Sequence, residues 1–239
     1  MSALFVTATG TDVGKTYITC LMIRALRERG RAVRALKPIA TGFDPELAAD
    51  SDAGRLLSSL GQPIDSTTLD AVSPWRFSAP LSPDMAAARE GRTIDWRELV
   101  AVCKDAIDAG EREGAITLIE GIGGTMVPLD EQRTVLDWIA ALRVPALLVA
   151  GSYLGTLSHT LTAAGMLAAC GCAMAGVVVN ESPEQPVAPD ETAATLRRFL
   201  APAPVIVVPR EPPSRMVPGT HFAPRAAERL VALLDAQPP

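Results

Sequence analysis

The chain has 239 residues, enough for one large α/β domain or two small ones, and 48% of them are hydrophobic, which suffices for a substantial core. The formal charge is −5 with no basic run or stripe, so neither nucleic acid nor a membrane surface is an expected partner, and any phosphate must be held locally. Four cysteines (Cys20, Cys103, Cys170, Cys172) stand in apolar surroundings, and their close pair, CGC, fits no usual zinc or redox spacing; they read as small core residues of a cytoplasmic protein.

The first expected element is a strand, "ALFVTA" (3–8). It is of strand length only and no basic segment precedes it, so no export signal is expected. It runs into "TGTDVGKT" (9–16) and then into a helical pattern over 15–29. A strand, a glycine-bearing turn and Gly14-Lys15-Thr16 opening a helix make a P-loop arrangement. In that arrangement backbone N–H groups at the helix start face phosphate oxygens and the helix dipole favours the anion. Lys15 adds a mobile positive charge, and Thr16 offers its hydroxyl to Mg²⁺. The leading glycine of the usual pattern is missing, since position 9 is threonine and Ala8 is the nearest small residue. The competing local reading is an ordinary strand–helix turn capped by Thr11 or Asp12.

A second strand, "AVRALKPI" (32–39), carries Lys37 at its end, and Thr41-Gly42 follow in a loop. A lysine at the C-terminal end of such a strand points into the ligand crevice, where it suits a second anion attacking the γ-phosphorus; a snorkelling strand-end lysine is the alternative. "ADSDAGRL" sets Asp52 at a helix start, where Ser51 or either aspartate could serve as the cap. After a helical pattern over 97–112, the strand "AITLIEG" (115–121) ends in Glu120 and runs into glycines. A buried carboxylate there needs a partner, and a Mg²⁺ ligand is the better reading. Helical patterns over 134–142, 157–170, 189–200 and 223–236 then alternate with strands over 145–151, 175–181 and 204–209.

The stretch from Val144 to Asn180 has no charged residue, but Gly151, Gly155 and Gly171 divide it into strand, loop, helix and strand. A buried α/β core accounts for it better than a membrane span. Proline-rich pieces at 73–83, 183–189 and 202–218 read as surface loops around strand ends. The alternation predicts a single α/β domain over 1–239, with a mostly parallel central sheet, flanked by helices on both faces, in a P-loop NTPase-like fold.

The blocks "GTDVGKT", "KPIATG", "SDA", "RFSAPLSPDMAA", "IEGIGGTMVPL", "GSYLGTLSHTLT" and "VVVNESPE" follow one another in a specific order. Over roughly residues 3–210 the chain thereby resembles the dethiobiotin synthetase family, ATP-dependent carboxylases that close a ureido ring on the route to biotin. The resemblance implies that Lys15 and the amides around Asp12, Val13, Gly14 and Thr16 hold the ATP phosphates, and that Thr16, Asp52 and Glu120 hold Mg²⁺. It implies that Lys37 steadies a carbamate formed from CO₂, supplied as bicarbonate, and one amine of 7,8-diaminononanoate. Thr11, Thr41 and Gly123 correspond to positions near the diamine, and Asn180 and Pro209 to positions framing the adenine. The distant carboxylate of the substrate would meet Gly155, Thr156 and Ser158 at a helix start of the other subunit, which implies a homodimer.

The chain departs from the family at two places. Ser82-Pro83-Asp84 stands where Ser-Pro-His is common, and Ser158 stands where Asn is frequent before His159. His159 itself reads as a helix-start packing residue rather than a base. Partitioning or regulatory ATPases of the deviant P-loop group would carry an extra lysine at the position of Gly10, and cobyrinate-type amidase synthetases a fused glutaminase region with a nucleophilic cysteine. A nucleotide-binding pseudoenzyme would not need Lys15, Thr16, Lys37, Asp52 and Glu120 together.

Overall fold

Every residue of the opening run is buried, and in a computed structural model, which describes residues 1–210 and 224–235, it forms strand β1 (Ala3–Ala8) at the centre of the main sheet. Its two faces serve two cores. Leu4, Val6 and Ala8 belong to one and Ala3 and Phe5 to the other, which is why the run shows no polar alternation. Helix α1 (Lys15–Glu28) lays Ile18, Met22 and Leu26 on the first core, and β2 (Val33–Leu36) follows at the sheet edge. The chain then leaves the sheet through β3 (Ile39–Thr41), a 3-10 turn at Pro45–Asp50, α2 (Asp52–Leu60) and α3 (Ser66–Val72). Strand β4 (Trp75–Phe77), α4 (Pro83–Arg89) and α5 (Trp96–Glu113) lead back to β5 (Ile116–Glu120). After α6 (Val135–Leu142) come β6 (Ala146–Ala150), α7 (Thr156–Ala169), β7 (Met174–Asn180), α8 (Pro189–Leu200), β8 (Val205–Val208) and α9 (Pro224–Asp235).

The main sheet runs β2-β5-β1-β6-β7-β8 with every neighbouring pair parallel. The chain goes from β1 out to the edge at β2, returns at β5 beside β1, and only then crosses to β6 on the other side. The loops after β1 and β5 therefore flank the point where strand order reverses, the place where such sheets bind ligands. Helices α1, α2 and α9 cover one face, with Leu56, Leu57 and Leu230 in that core. Leu99, Trp138, Leu167 and Leu196, from α5 to α8, cover the other. Trp138 meets Phe5 edge to face at 4.9 Å between ring centroids. The expected α/β architecture with helices on both faces is present.

The structure corrects four details. The strand expected over 32–39 is two strands in two sheets, because Pro38 has no N–H to continue a ladder and the Lys37 N–H donates to the Val72 carbonyl instead. β3 pairs in parallel with β4 in a separate two-stranded sheet, so the proline-rich stretch at 73–83 is partly core, with Trp75 and Phe77 buried. Helices α3 and α4 were not in the sequence pattern: each has seven residues, too few for a periodic apolar stripe to register. Cys20 and Cys103 are buried and burial pushes their thiols up, to about 11 and about 12, but Cys170 is exposed and Cys172 half-buried. That pair sits beyond the end of α7, where Gly171 turns at φ +68°, so it is not core.

The charge-free stretch is β6, α7 and β7, and among the described residues no helix is long and apolar enough to cross a membrane. Of the proline-rich piece at 202–218, residues 211–218 lie outside the described residues, as do the ends of the helix expected over 223–236.

Candidate active site

Helix α1 begins at Gly14, whose φ of +101° and lack of any side-chain cap leave the first-turn N–H groups facing outward. Neither Thr11 nor Asp12 caps it, so the ordinary-turn reading fails. Asp12 adopts φ +58°, a left-handed conformation that aspartate tolerates better than most residues. The loop is pinned from both sides. The Thr9 N–H donates to Val149, the Thr125 N–H and hydroxyl both donate to Ala8, and Asn180 Nδ2 donates to the Val13 carbonyl at 3.0 Å. A Cβ on Gly14 would stand 2.2 Å from that Asn180 nitrogen, and one on Gly124 would stand 3.1 Å from the Thr9 carbonyl oxygen. At Gly14 the positive φ and this contact together favour glycine, and at Gly124 a side chain would be tight against the Thr9 backbone.

Lys15 turns back over the loop and donates to the carbonyls of Gly123 at 2.8 Å and Gly10 at 3.2 Å. Burial, and after it the neighbouring Lys37 ammonium, bring the Lys15 ammonium down from 10.5 to about 8. Lys37, 2% exposed, donates to Glu120 Oε1 at 2.9 Å and to the Gly121 carbonyl at 2.7 Å, and lies 3.3 Å from Asp52 Oδ2. Its burial disfavours the charged form, but the carboxylates of Glu120 and Asp52 outweigh that and hold it above its ordinary value. Burial likewise pushes the Asp52 carboxyl up, and Lys37 and the Thr16 hydroxyl outweigh this to leave it below the ordinary carboxylate value.

The sequence left the cap of α2 open between three residues. Ser51 is the cap, its hydroxyl accepting from the Gly54 N–H at 3.1 Å, which frees the Asp52 carboxylate to face Lys37. Thr16 donates to Glu120 Oε1 at 2.6 Å, so Thr16, Asp52, Glu120 and Lys37 form one connected group. Glu120 is fully buried and its second oxygen, Oε2, has no partner. Among the described residues no three His, Cys, Asp or Glu side chains cluster as a metal site. A hydroxyl and two carboxylates, one of them with an orphaned buried oxygen, fit a hard cation of the Mg²⁺ type, which is commonly bound through one or two carboxylates with substrate phosphates and water completing the shell.

Of these groups, Lys15, Thr16, Lys37 and Asp52 line one cavity of about 350 Å³, while the buried Glu120, bonded to Thr16 and Lys37, is not part of its wall. Both lysines reach it, together with Thr11, Asp12, Gly14 and Thr16 from the first loop and helix, and Thr41, Asp52 and Gly123 from the loops opposite. Tyr17, Arg55 and Ile122 line it as well and were not singled out in the sequence. Arg55 lies three residues after Asp52, one helical turn, and that spacing was the signal available for it.

The remaining expected residues lie around the cavity rather than in it. Val13 is buried under the loop, Asn180 braces the loop at the end of β7, and Pro209 is exposed just past β8. Gly155 and Ser158 are exposed and Thr156 is buried at the start of α7, where Gly155 has φ +97° and no side chain caps the helix. His159 is exposed and its Nδ1 pairs with the Tyr153 hydroxyl at 2.9 Å, away from the cavity. Ser82 Oγ and Asp84 Oδ1, at the departure from the Ser-Pro-His pattern, are buried without partners.

A family model described as an AAA domain matches residues 2–215. The ATP-dependent dethiobiotin synthetase of Methylobacterium nodulans is 49% identical over 202 residues, covering 83% of this chain and 89% of the relative. That of Acidiphilium cryptum is 48% identical over 210 residues, covering 87% of this chain and 93% of the relative. Among solved structures, the cell division ATPase MinD of Pyrococcus furiosus aligns with a TM-score of 0.53 at 18% identity, covering 98% of this chain and 99% of that one. The MinC:MinD complex of Aquifex aeolicus aligns at 0.55 and 15% identity, covering 100% and 98%. The structural neighbours carry the P-loop NTPase fold alone, while the sequence relatives carry the family. The chain belongs to the dethiobiotin synthetases, a family of ATP-dependent ligases.

Proposed function

We propose that this protein carboxylates 7,8-diaminononanoate with CO₂ and closes the ureido ring of dethiobiotin at the expense of ATP. The observation that carries the reading is the convergence of Lys15, at the start of α1, and Lys37, just past the end of β2, on one cavity. Lys15 and the open first-turn amides of α1 hold the β- and γ-phosphates. Lys37, anchored by Glu120 and Asp52, holds the anionic carbamate against the γ-phosphorus, and Thr11, Thr41 and Gly123, which line the cavity, contact the diamine. The carbamate oxygen attacks in line, ADP leaves, and the neighbouring amine closes the ring on the resulting carbamic-phosphoric anhydride with loss of phosphate. Thr16, Asp52 and Glu120 would hold Mg²⁺, which neutralises developing charge on the phosphates when bound.

The same reading makes residues 1–239 one cytoplasmic domain working as a homodimer. The uncapped start of α7, at Gly155, Thr156 and Ser158, binds the far carboxylate of the diamine held by the partner subunit. Asn180 and Pro209, at the ends of β7 and β8, frame the adenine beside the first loop. The test is ADP release with ATP, Mg²⁺, bicarbonate and 7,8-diaminononanoate, each omitted in turn. Release that continues undiminished without the diamine would rule out the synthetase reading.

A further inference from the structure

We propose that Arg55 is a further contact for the phosphates of the nucleotide, closing the cavity from the α2 side. The inference rests on reading the cavity as the triphosphate site.

Three observations carry it. First, the orientation of α2 is fixed. Ala53, Leu56 and Leu57 are fully buried on its inner face, and a Cβ on Gly54 would stand 2.1 Å from the Ala48 carbonyl oxygen, so the helix packs closely against the turn before it. Asp52 and Arg55, one turn apart, both line the cavity, and Asp52 is the residue facing Lys37. Second, the Arg55 side chain is exposed and has no hydrogen bond, ion pair or ring contact among the described residues, while Arg31, Arg34 and Arg76 each hold a carboxylate. Third, the inner charges already balance. Lys37 is matched by Asp52 and Glu120, and the charge of Lys15 completes two ammoniums against two carboxylates. The other charged lining groups are Arg55 and, on the rim of the first loop, Asp12.

A triphosphate brings several negative charges into a ring with no net charge of its own, and a divalent cation offsets only part of them. A guanidinium, with a planar fork of donors that matches phosphate oxygens, is the group suited to the remainder. Because it is exposed, its attraction must weaken with salt. Its role is therefore separable from that of the buried lysines.

The test compares the wild type with Arg55→Ala and Arg55→Lys by calorimetric titration of Mg·ATP at low and high salt, with thermal melting of each protein alone. Arg55→Ala is expected to raise the Kd at low salt about tenfold. Its salt dependence should be shallower than that of the wild type, its melting temperature unchanged, and Arg55→Lys intermediate. A Kd and salt dependence equal to the wild type in Arg55→Ala would overturn the assignment. So would a structural effect, in which both variants melt lower while salt dependence stays as in the wild type. Diamine-dependent ADP release by the wild type, measured alongside, separates the two readings: weakened Mg·ATP binding in Arg55→Ala without diamine-dependent release would retain Arg55 and discard the synthetase mechanism.

Discussion

If Lys15 holds the ATP phosphates as proposed, its buried ammonium makes nucleotide binding a protonation event. The residue is 7% exposed, donates to two carbonyl oxygens, and is brought from 10.5 to about 8 by burial first and the nearby Lys37 charge second. That displacement disfavours the charged form by roughly 3 kcal/mol. Phosphate oxygens at hydrogen-bond distance favour the charged form and reverse the balance. At pH 8 the free protein then carries about half a proton at Lys15 and the complex a whole one, so binding Mg·ATP is expected to take up about half a proton. The uptake should vanish near pH 6 and approach one proton above pH 9, and affinity should fall by up to about tenfold per pH unit over that upper range. The linkage to folding has the opposite sign. A lysine with a folded value below its unfolded one binds more protons when unfolded between about 8 and 10.5, so its contribution to stability rises with pH while affinity falls. General alkaline unfolding would move both downward. The assay is calorimetric titration at fixed pH in two buffers of different ionisation enthalpy. Heats independent of the buffer at pH 8, or the same uptake in Lys15→Met, would refute the reasoning.

Three further outcomes are expected. Lys37→Ala should retain most nucleotide binding but lose turnover by about 10²–10³, equivalent to roughly 3–4 kcal/mol of transition-state stabilisation; unchanged diamine-dependent phosphate release would remove Lys37 from the chemistry. Glu120→Gln should shift the Mg²⁺ titration of activity to higher concentration, and a superimposable curve would take Glu120 out of the metal shell. Gly14→Ala combines a φ of +101° with a contact of 2.2 Å to Asn180 Nδ2, so it should weaken Mg·ATP binding at least about tenfold while the central sheet stays folded, as read by circular dichroism and calorimetry. An alanine variant with wild-type affinity would mean that the loop is less tightly packed than its contacts require.

The sequence made the strands legible where both faces are covered, because runs such as "ALFVTA" and "AGVVVNE" are mostly apolar without strict polar alternation and the helices between them have lengths typical of crossovers. It misplaced what depends on a few residues. The break at Lys37-Pro38 and the pairing of β3 with β4 rest on the missing N–H of one proline and on a partner strand of three residues, neither of which yields a period. The charged core of the site was readable because glycines and strand ends mark it: Lys15, Thr16, Lys37, Asp52 and Glu120 do come together. Tyr17 and Ile122 gave no signal as wall residues, and for Arg55 the one-turn spacing from Asp52 becomes a signal only once Asp52 is placed at the cavity. Cys170 and Cys172 misled because apolar neighbours in sequence are no guide to depth at a helix end.

Helix starts fall into two groups. Ser51, Asp65 and Asp95 cap α2, α3 and α5; α6 is closed by Asp137 on the Thr134 N–H; α4 and α8 start on proline. In each case the protein itself disposes of an orphan donor or lacks it. Helices α1 and α7 differ, since each begins at a glycine with positive φ and neither has a side-chain cap. At α7 the Thr156 hydroxyl, which could have capped, donates to the Gly151 carbonyl instead, and Leu154 beside it is 84% exposed. First-turn donors without a protein acceptor cost stability unless water or an anion meets them, and the macrodipole favours the anion, though at α7 the Thr156 N–H already donates to the Tyr153 carbonyl at 3.1 Å. The start of α1 lies in the cavity with Lys15, and that of α7 lies outside it. One chain thus presents two helix starts without side-chain caps at separate places.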